Sequence, residues 1–273
     1  MTYYNPLDIL IIVAGLVCKM FRAIYPNASK LKYITSSIVK ISDEAPFHVR
    51  PEELEIKIVS PDKTMLCLVK LPMTAFEEYS VDTEEYFIVS STELNKLARR
   101  GTRGDVVELT LDKENSALVF ALKDKKTGFE RVFQLMAELR EPEPFPDLSR
   151  VESELGVTFT MDASDFKHLV GDLKVFGETA VFTYSEGRLI VTTTEQQKEY
   201  VGEFAEGSPL LFLSSTKEKA SSSYNIDLLK TVVKPASAAK QVKVSFDQDK
   251  PMKIEYELLG GASIIFWLVP RLE

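Results

Sequence analysis

The chain has 273 residues, 45% of them hydrophobic and 27% charged, with 12 Gly and 13 Pro; this excludes collagen-like and natively unfolded classes and leaves room for two globular domains. Thirty-three Lys and Arg against 41 Asp and Glu give a net charge of −8, which as an average argues against a polyanionic partner. Two cysteines, Cys18 and Cys67, form neither a metal-ligand spacing nor a disulfide framework, so a reduced intracellular protein without metal or cofactor is expected.

From the N-terminus, the one markedly apolar stretch, residues 9–17, is shorter than the roughly 18–20 residues of a membrane helix. Asp8 precedes it and no Lys or Arg does, so no signal peptide is expected either, and residues 1–19 read as an upstream extension to a fold that begins near Met20. A strand (FRAIYP) then leads into a helix over 28–42. There Leu31, Ile34, Ile38 and Ile41 recur at spacings of three and four, with Asn27 as N-cap. Strands follow as LEIKIV, MLCLVKL and YFIVS, a second helix over 91–103, and strands DVVELTL, ALVFAL and RVFQLM, with SPDK and KDKKTG as turns. Three prolines in residues 141–148 (EPEPFPDL) predict an exposed, extended connector. Beyond it come VTFTM, a helix over 164–177 capped by Asp162, then TAVFTY, RLIVTTT and PLLFL. A fourth helix over 225–240 precedes VKVSF, MKIEYEL and SIIFWLV.

The order is a repeat. Asn27-Ala28-Ser29-Lys30-Leu31-Lys32 returns 135 residues later as Asp162-Ala163-Ser164-Asp165-Phe166-Lys167. Glu93-Leu94-Asn95-Lys96 returns as Asp227-Leu228-Leu229-Lys230 after 134, and Phe133-Gln134-Leu135-Met136 as Phe266-Trp267-Leu268-Val269 after 133. The fold class is therefore α+β with more strand than helix, built from two duplicated domains, 20–139 and 154–273, joined by a connector over 140–153.

Charge is segregated within this plan. The four helical segments hold twelve Lys and Arg against four acids, whereas the rest of the chain is strongly acidic. Lys30, Lys40, Lys96, Arg99, Arg100, Arg103, Lys167, Lys174, Lys230 and Lys234 lie off the apolar stripes. For one helix this is an ordinary solvated face; four helices with the same bias fit a sequence-independent surface for nucleic acid. No aromatic stacking set and no base-reading helix accompanies it. His48 and His168 sit in no catalytic context, and no nucleophile elbow, phosphate-binding glycine loop or dinucleotide fingerprint occurs, so an enzyme is not expected.

Several strings carry a resemblance: Asp43-Glu44-Ala45, Ser60-Pro61-Asp62-Lys63, Leu71-Pro72, Ser221-Ser222-Ser223-Tyr224, Lys250-Pro251-Met252-Lys253-Ile254 and the ending Leu268-Val269-Pro270-Arg271-Leu272-Glu273. Together with the repeat and the basic helices, they closely resemble the proliferating cell nuclear antigen family of sliding clamps, above all its archaeal members. The likeness starts near Met20; residues 1–19 have no counterpart.

The resemblance implies a DNA-clamp fold, with antiparallel sheets outside and helices inside, assembling into a trimeric ring around double-stranded DNA. By position, Lys96, Arg99 and Lys234 match basic channel residues, with Lys30, Lys32, Arg100, Lys167, His168, Lys174 and Lys230 as neighbours; Gly171 falls where some members carry a basic residue. A partner-peptide pocket would be formed by Val59, Thr64 and Leu66, by Phe145, Pro146 and Leu148 of the connector, and by Pro251, Trp267, Leu268, Val269 and Pro270. For Trp267 and Leu268 a plain core role stands equally open. Subunits would join head to tail through edge strands at 131–136 (Arg131, Phe133, Leu135) and 189–194 (Leu189, Val191, Thr193). Implied partners are two further clamp subunits, the same chain or paralogues, together with DNA polymerase, flap endonuclease, DNA ligase and a clamp loader, in the cytoplasm at the nucleoid of a prokaryotic cell and with no membrane. A checkpoint-type clamp scaffold is the alternative.

Overall fold

The computed structural model describes residues 21–195, 198–207 and 209–271. The extension over 1–19, Met20, Cys18 and the final Leu272 and Glu273 lie outside the described residues. The first copy runs β1 (Phe21–Tyr25), α1 (Ala28–Ile41), β2 (Glu44–Val49), β3 (Glu53–Val59), β4 (Met65–Pro72), β5 (Glu78–Val81), β6 (Glu85–Ser90), α2 (Ser91–Ala98), β7 (Asp105–Asp112), β8 (Ala117–Asp124) and β9 (Glu130–Met136). A short β10 (Glu138–Leu139), the connector and helix α3 (Ser149–Ser153) lead to the second copy. It comprises β11 (Val157–Asp162), α4 (Ala163–Phe176), β12 (Thr179–Ser185), β13 (Arg188–Glu195), β14 (Lys198–Glu206), β15 (Pro209–Ser215), β16 (Lys219–Asn225), α5 (Ile226–Val232), β17 (Gln241–Phe246), β18 (Met252–Glu257) and β19 (Ser263–Leu268).

Strand order repeats with the sequence. The run β5-β1-β7-β8-β9 of the first copy returns as β15-β11-β17-β18-β19, and β6-β2-β3-β4 returns as β16-β12-β13-β14. Between the copies β4 and β19 pair antiparallel, from Met65 opposite Leu268 to Lys70 opposite Ser263, so one sheet crosses the junction. Helices α1 and α4 are both 14 residues long and start 135 residues apart; each buries one stripe, Leu31, Ile34, Ile38 and Ile41 in α1 and Phe166, Leu169, Val170 and Leu173 in α4. Full burial of each such side chain contributes about 1.5–3 kcal/mol, which is what fixes the helices to one side of the sheets. On the other side, the outward residues of β3, β4, β19 and β18 meet the connector.

Four local expectations are corrected. Asn27 and Asp162 stand at N-cap positions but neither side chain caps; Asn27 Oδ1 instead accepts from Ser29 Oγ at 2.7 Å. The side-chain caps are Ser90, which accepts from the Glu93 N–H at 3.4 Å, and Asn225, which accepts from the Asp227 N–H at 2.7 Å. The second helix ends at Ala98 rather than 103, because Gly101 lies against α1: a Cβ there would come within 2.5 Å of Ala28 Cβ. The fourth ends at Val232, followed by a 3-10 turn over Lys234–Ser237 that contains Pro235, a residue with no N–H to continue the ladder. Residues 140–147 of the connector form neither helix nor strand, Leu148 departs from the expected extended backbone at φ −101° and ψ 4°, and α3 follows, for which the sequence carries no apolar periodicity.

Candidate functional site

The basic residues lie on one helix layer. Lys96, Arg99, Arg100, Lys167, His168, Lys230 and Lys234 are exposed, and Lys30, Lys32 and Lys174 are half-buried. Helix α1 abuts α2, α5 and the 234–237 turn, and α4 abuts α5 and the same turn, so the cations of both copies share a surface. Thr35 and Ser36 of α1 donate to Asn95 Oδ1 of α2 at 3.0 and 3.1 Å, while Lys30 Nζ crosses to the second copy and donates to Ser237 O at 3.0 Å. Arg99 and Arg100 sit just past the end of α2, in the turn that Gly101 closes. Some cations already have partners: Lys96 holds Glu93 at 2.6 Å, and Lys174 and Lys230 lie 2.8 and 3.7 Å from Asp227. Lys32 Nζ sits over the Tyr33 ring, 5.0 Å from its centroid.

On the opposite face the connector separates two cavities. One, about 360 Å³, lies between Pro142, Glu143, Pro144 and Phe145 and the strands β2, β3 and β6, with Val59 and His48 in its wall. The other, about 370 Å³, is walled by Phe145, Pro146 and Leu148 of the connector and by Leu68, Ile265 and Trp267 of the sheet. Register explains this second wall. Lys57 faces Leu68 and Leu68 faces Ile265, while in the next outward row Val59 faces Leu66, Leu66 faces Trp267 and Trp267 faces Lys253, so Trp267 and Lys253 complete the wall. The connector is tied at both ends. Arg140 lies 3.7 Å from Glu44, while Asp147 caps the Ser149 N–H at 3.0 Å, Lys253 donates to Glu152 at 2.6 Å and Lys250 to Glu154 at 2.6 Å.

Of the expected pocket residues, the structure thus brings Phe145, Pro146, Leu148 and Trp267 to one cavity and Val59 with Phe145 to the other. Thr64, Leu66, Pro251, Val269 and Pro270 flank them, with the Val269 N–H donating to Thr64 O at 3.1 Å. Leu268 is a correction: it points inward and is fully buried in the core, because alternation along β19 sends it to the face opposite Trp267.

The edge strands need a second correction. Among the described residues β9 pairs only with β8 and so keeps a free edge; Phe129, Val132 and Met136 are exposed beside it, Arg131 and Phe133 are half-buried and Leu135 is buried. Strand β13, which carries Leu189, Val191 and Thr193, is not an edge. Both its sides are taken, by β12 and by β14, and all three residues are buried. The free edge belongs to β14, which among the described residues meets β15 only through Ala205 and Glu206. Sequence reading missed this strand because its charges hide the alternation; the usable signal is Tyr200, Gly202 and Phe204 on one face against Glu199, Val201 and Glu203 on the other.

Residues 20–141 match the model of the proliferating cell nuclear antigen N-terminal domain. Over 259 residues the chain is 30% identical to DNA polymerase sliding clamp 3 of Aeropyrum pernix, across 92% of this chain and 98% of that one. The chain belongs to the proliferating cell nuclear antigen family. It is a DNA sliding clamp of archaeal type. The clamp fold is shared with the proliferating cell nuclear antigen of Thermococcus kodakaraensis, at a TM-score of 0.83 and 23% identity over 92% of this chain and all of that one. It is shared likewise with the PCNA2–PCNA3 complex of Sulfolobus tokodaii, at 0.82 and 22% over 92% of this chain and 100% of that one. Members of this clamp family act as processivity factors rather than enzymes. Among the described residues of this clamp, no helix is long and apolar enough to cross a membrane, and no cluster of His, Cys, Asp and Glu has the arrangement of a metal site.

Proposed function

We propose that this clamp closes a ring of three subunits by pairing β9 of one with β14 of the next, passes double-stranded DNA along its helix layer without reading sequence, and seats peptides of its client enzymes at the connector. Domains 20–139 and 154–273 are the two arms of the subunit, and 140–153 is the strap between them. The observation that carries this reading is the internal pairing of β4 with β19. Its counterparts in the repeat are β14 and β9, each of which has a free edge among the described residues.

The repeat also supplies the register. Val59 faces Leu66 as Thr194 faces Glu199, and Val59 and Thr194 are 135 residues apart, so Leu66 corresponds to Glu199. Trp267 corresponds to Gln134 through the matching ends of β19 and β9. Because Trp267 stands opposite Leu66, the same geometry between subunits sets Gln134 opposite Glu199, Phe133 opposite Tyr200 and Val132 opposite Val201. Val132 and Val201 are 57% and 58% exposed, and the pairing covers both. Two different edges joined head to tail generate a closed ring when each step turns by a third of a circle.

Cations on the helix layer replace phosphate counterions, which favours a salt-dependent grip without fixed register and so permits sliding. At the connector, Phe145 and Trp267 offer apolar walls for the anchors of a short peptide, as in other interfaces where a few buried side chains supply most of the affinity. Clients of this kind are DNA polymerase, flap endonuclease and DNA ligase, and loading at the nucleoid falls to a clamp loader.

The test is the solution mass by light scattering, for the purified chain alone and mixed with clamp paralogues of the same genome. A mass of three subunits alone gives a homomeric ring; a monomer that reaches that mass only with paralogues gives a mixed ring. A chain that stays monomeric in every mixture overturns the proposal.

A further inference from the structure

The two halves of the helix layer differ in charge. Segments 28–42 and 91–103 hold seven Lys and Arg against one acid, whereas 164–177 and 225–240 hold five against three. Asp165 and Asp172 of α4 account for the two extra acids, and Asp227 of α5 is the acid that meets lysines of both helices. Its Oδ1 lies 2.8 Å from Lys174 Nζ of α4 and 3.7 Å from Lys230 Nζ of α5, and its backbone N–H is fixed by Asn225 Oδ1 at 2.7 Å. The three side chains are 66%, 36% and 49% exposed, in that order, so the triad lies at the surface that faces solvent. In the first copy Glu93 holds Lys96 three residues on, as Asp227 lies near Lys230, but the position 135 residues before Lys174 is Val39, so no lysine of α1 joins that pair.

We propose that Asp227 is a resident competitor of DNA phosphate: it occupies, with one carboxylate oxygen, the place a phosphate oxygen would take between Lys174 and Lys230, and thereby weakens the grip of the second copy's helix layer on duplex DNA. This rests on the reading that the helix layer faces DNA. The chemistry is a substitution of one anionic oxygen for another, without any covalent step. A phosphate that approaches must displace the carboxylate from two ammonium groups, and the displaced carboxylate stays nearby and repels it. The hydrogen bond from Lys174 holds the Asp227 carboxyl below its ordinary range, so the competing charge is present throughout the neutral range. Asp227 is a positioning residue; it touches the lysines, not the DNA.

The experiment measures binding of the assembled ring to a short linear duplex as a function of salt. Asp227→Asn should tighten binding by about 3-fold at low salt and make the slope of log K against log salt steeper by roughly 1 for each lysine released to a phosphate. That gain should vanish in a Lys174→Gln, Lys230→Gln background. Glu114→Gln, in the β7–β8 turn, makes the same change in net charge away from the helices and should leave the slope unchanged. Lys96→Ala with Arg99→Ala tests the underlying reading and should flatten the slope. If that pair flattens it while Asp227→Asn changes nothing, or if Glu114→Gln acts as strongly as Asp227→Asn, the inference is wrong and the DNA-facing layer stands. If the Lys96 and Arg99 pair has no effect, the layer does not face DNA and both readings fall.

Discussion

Lys253 of β18 donates to Glu152 of the connector helix at 2.6 Å, which ties the strap to the second copy rather than to the first, from which it emerges. The Lys253 side chain is only 12% exposed. Burial pulls its pKa down, but the bond it donates to Glu152 and the nearby Glu255 more than offset this and hold it above the ordinary lysine value. Lys253→Ala should therefore free α3, raise amide exchange over 149–153 and weaken client-peptide binding by about 2- to 5-fold, the effect of a partly shielded ion pair. Unchanged exchange would mean that α3 is held by the neighbouring pair alone.

That neighbouring pair, Lys250 with Glu154, sets a pH limit. The hydrogen bond from Lys250 holds the Glu154 carboxyl below the usual carboxylate range. A group whose folded pKa is depressed stabilises the fold above its unfolded pKa, and that contribution is lost as the pH falls through the folded value. Exchange protection of the connector helix should stay flat from neutral pH down to the ordinary carboxylate range and fall only under more acidic conditions. Loss of protection near neutrality contradicts this anchor.

Trp267 is the only tryptophan of the chain and lies beneath the connector, 6% exposed. Its emission should therefore report on the groove directly. Phe145→Ala should shift emission to the red as water reaches the indole, and should weaken a client peptide by about 10-fold, the range of a partial hot spot. A peptide that binds without changing Trp267 emission is seated elsewhere.

Leu268, one residue on, should behave differently. Leu268→Ala removes a fully buried side chain and should cost about 2–5 kcal/mol of stability, as other core truncations do. Thermal or urea unfolding reads this loss; peptide affinity measured on the fraction that remains folded should hardly change.

The proposed register has its own check. Opposed Cβ atoms in an antiparallel pair lie about 4.5–5.5 Å apart, close enough for a disulfide after small shifts. A homomeric ring carrying Val132→Cys and Val201→Cys should cross-link between subunits under mild oxidation. Val132→Cys with Tyr200→Cys should not, because those side chains leave opposite faces of the sheet. The reverse result in an assembled ring rejects the register.

Much of this protein was legible in its sequence because local patterns repeat. The 3.6-residue spacing of Leu31, Ile34, Ile38 and Ile41 and the return of Asn27-Ala28-Ser29 as Asp162-Ala163-Ser164 were enough to place α1, α4 and the repeat between them. Helix ends were less legible: the stop at Ala98 depends on Gly101 meeting Ala28, a contact made only once α1 and α2 pack.

What the sequence by itself determined is therefore the duplicated α+β plan and the residue types at its basic and apolar surfaces, since both follow from periodicity and composition within single elements, while the clamp likeness rests on the resemblance of particular strings. Which strand is an edge, and which of two adjacent residues such as Trp267 and Leu268 faces out, depends on neighbours far away in the chain. Strand β13 lost its edge to β14, and Leu268 lost its place in the groove to the pleat of β19, because hydrogen-bond partners and sheet faces are assigned only when distant strands pair. The triad around Asp227 is partly of the same kind: Asp227 and Lys230 meet by their spacing on α5, but only the packing of α4 against α5 brings Lys174 to the same carboxylate.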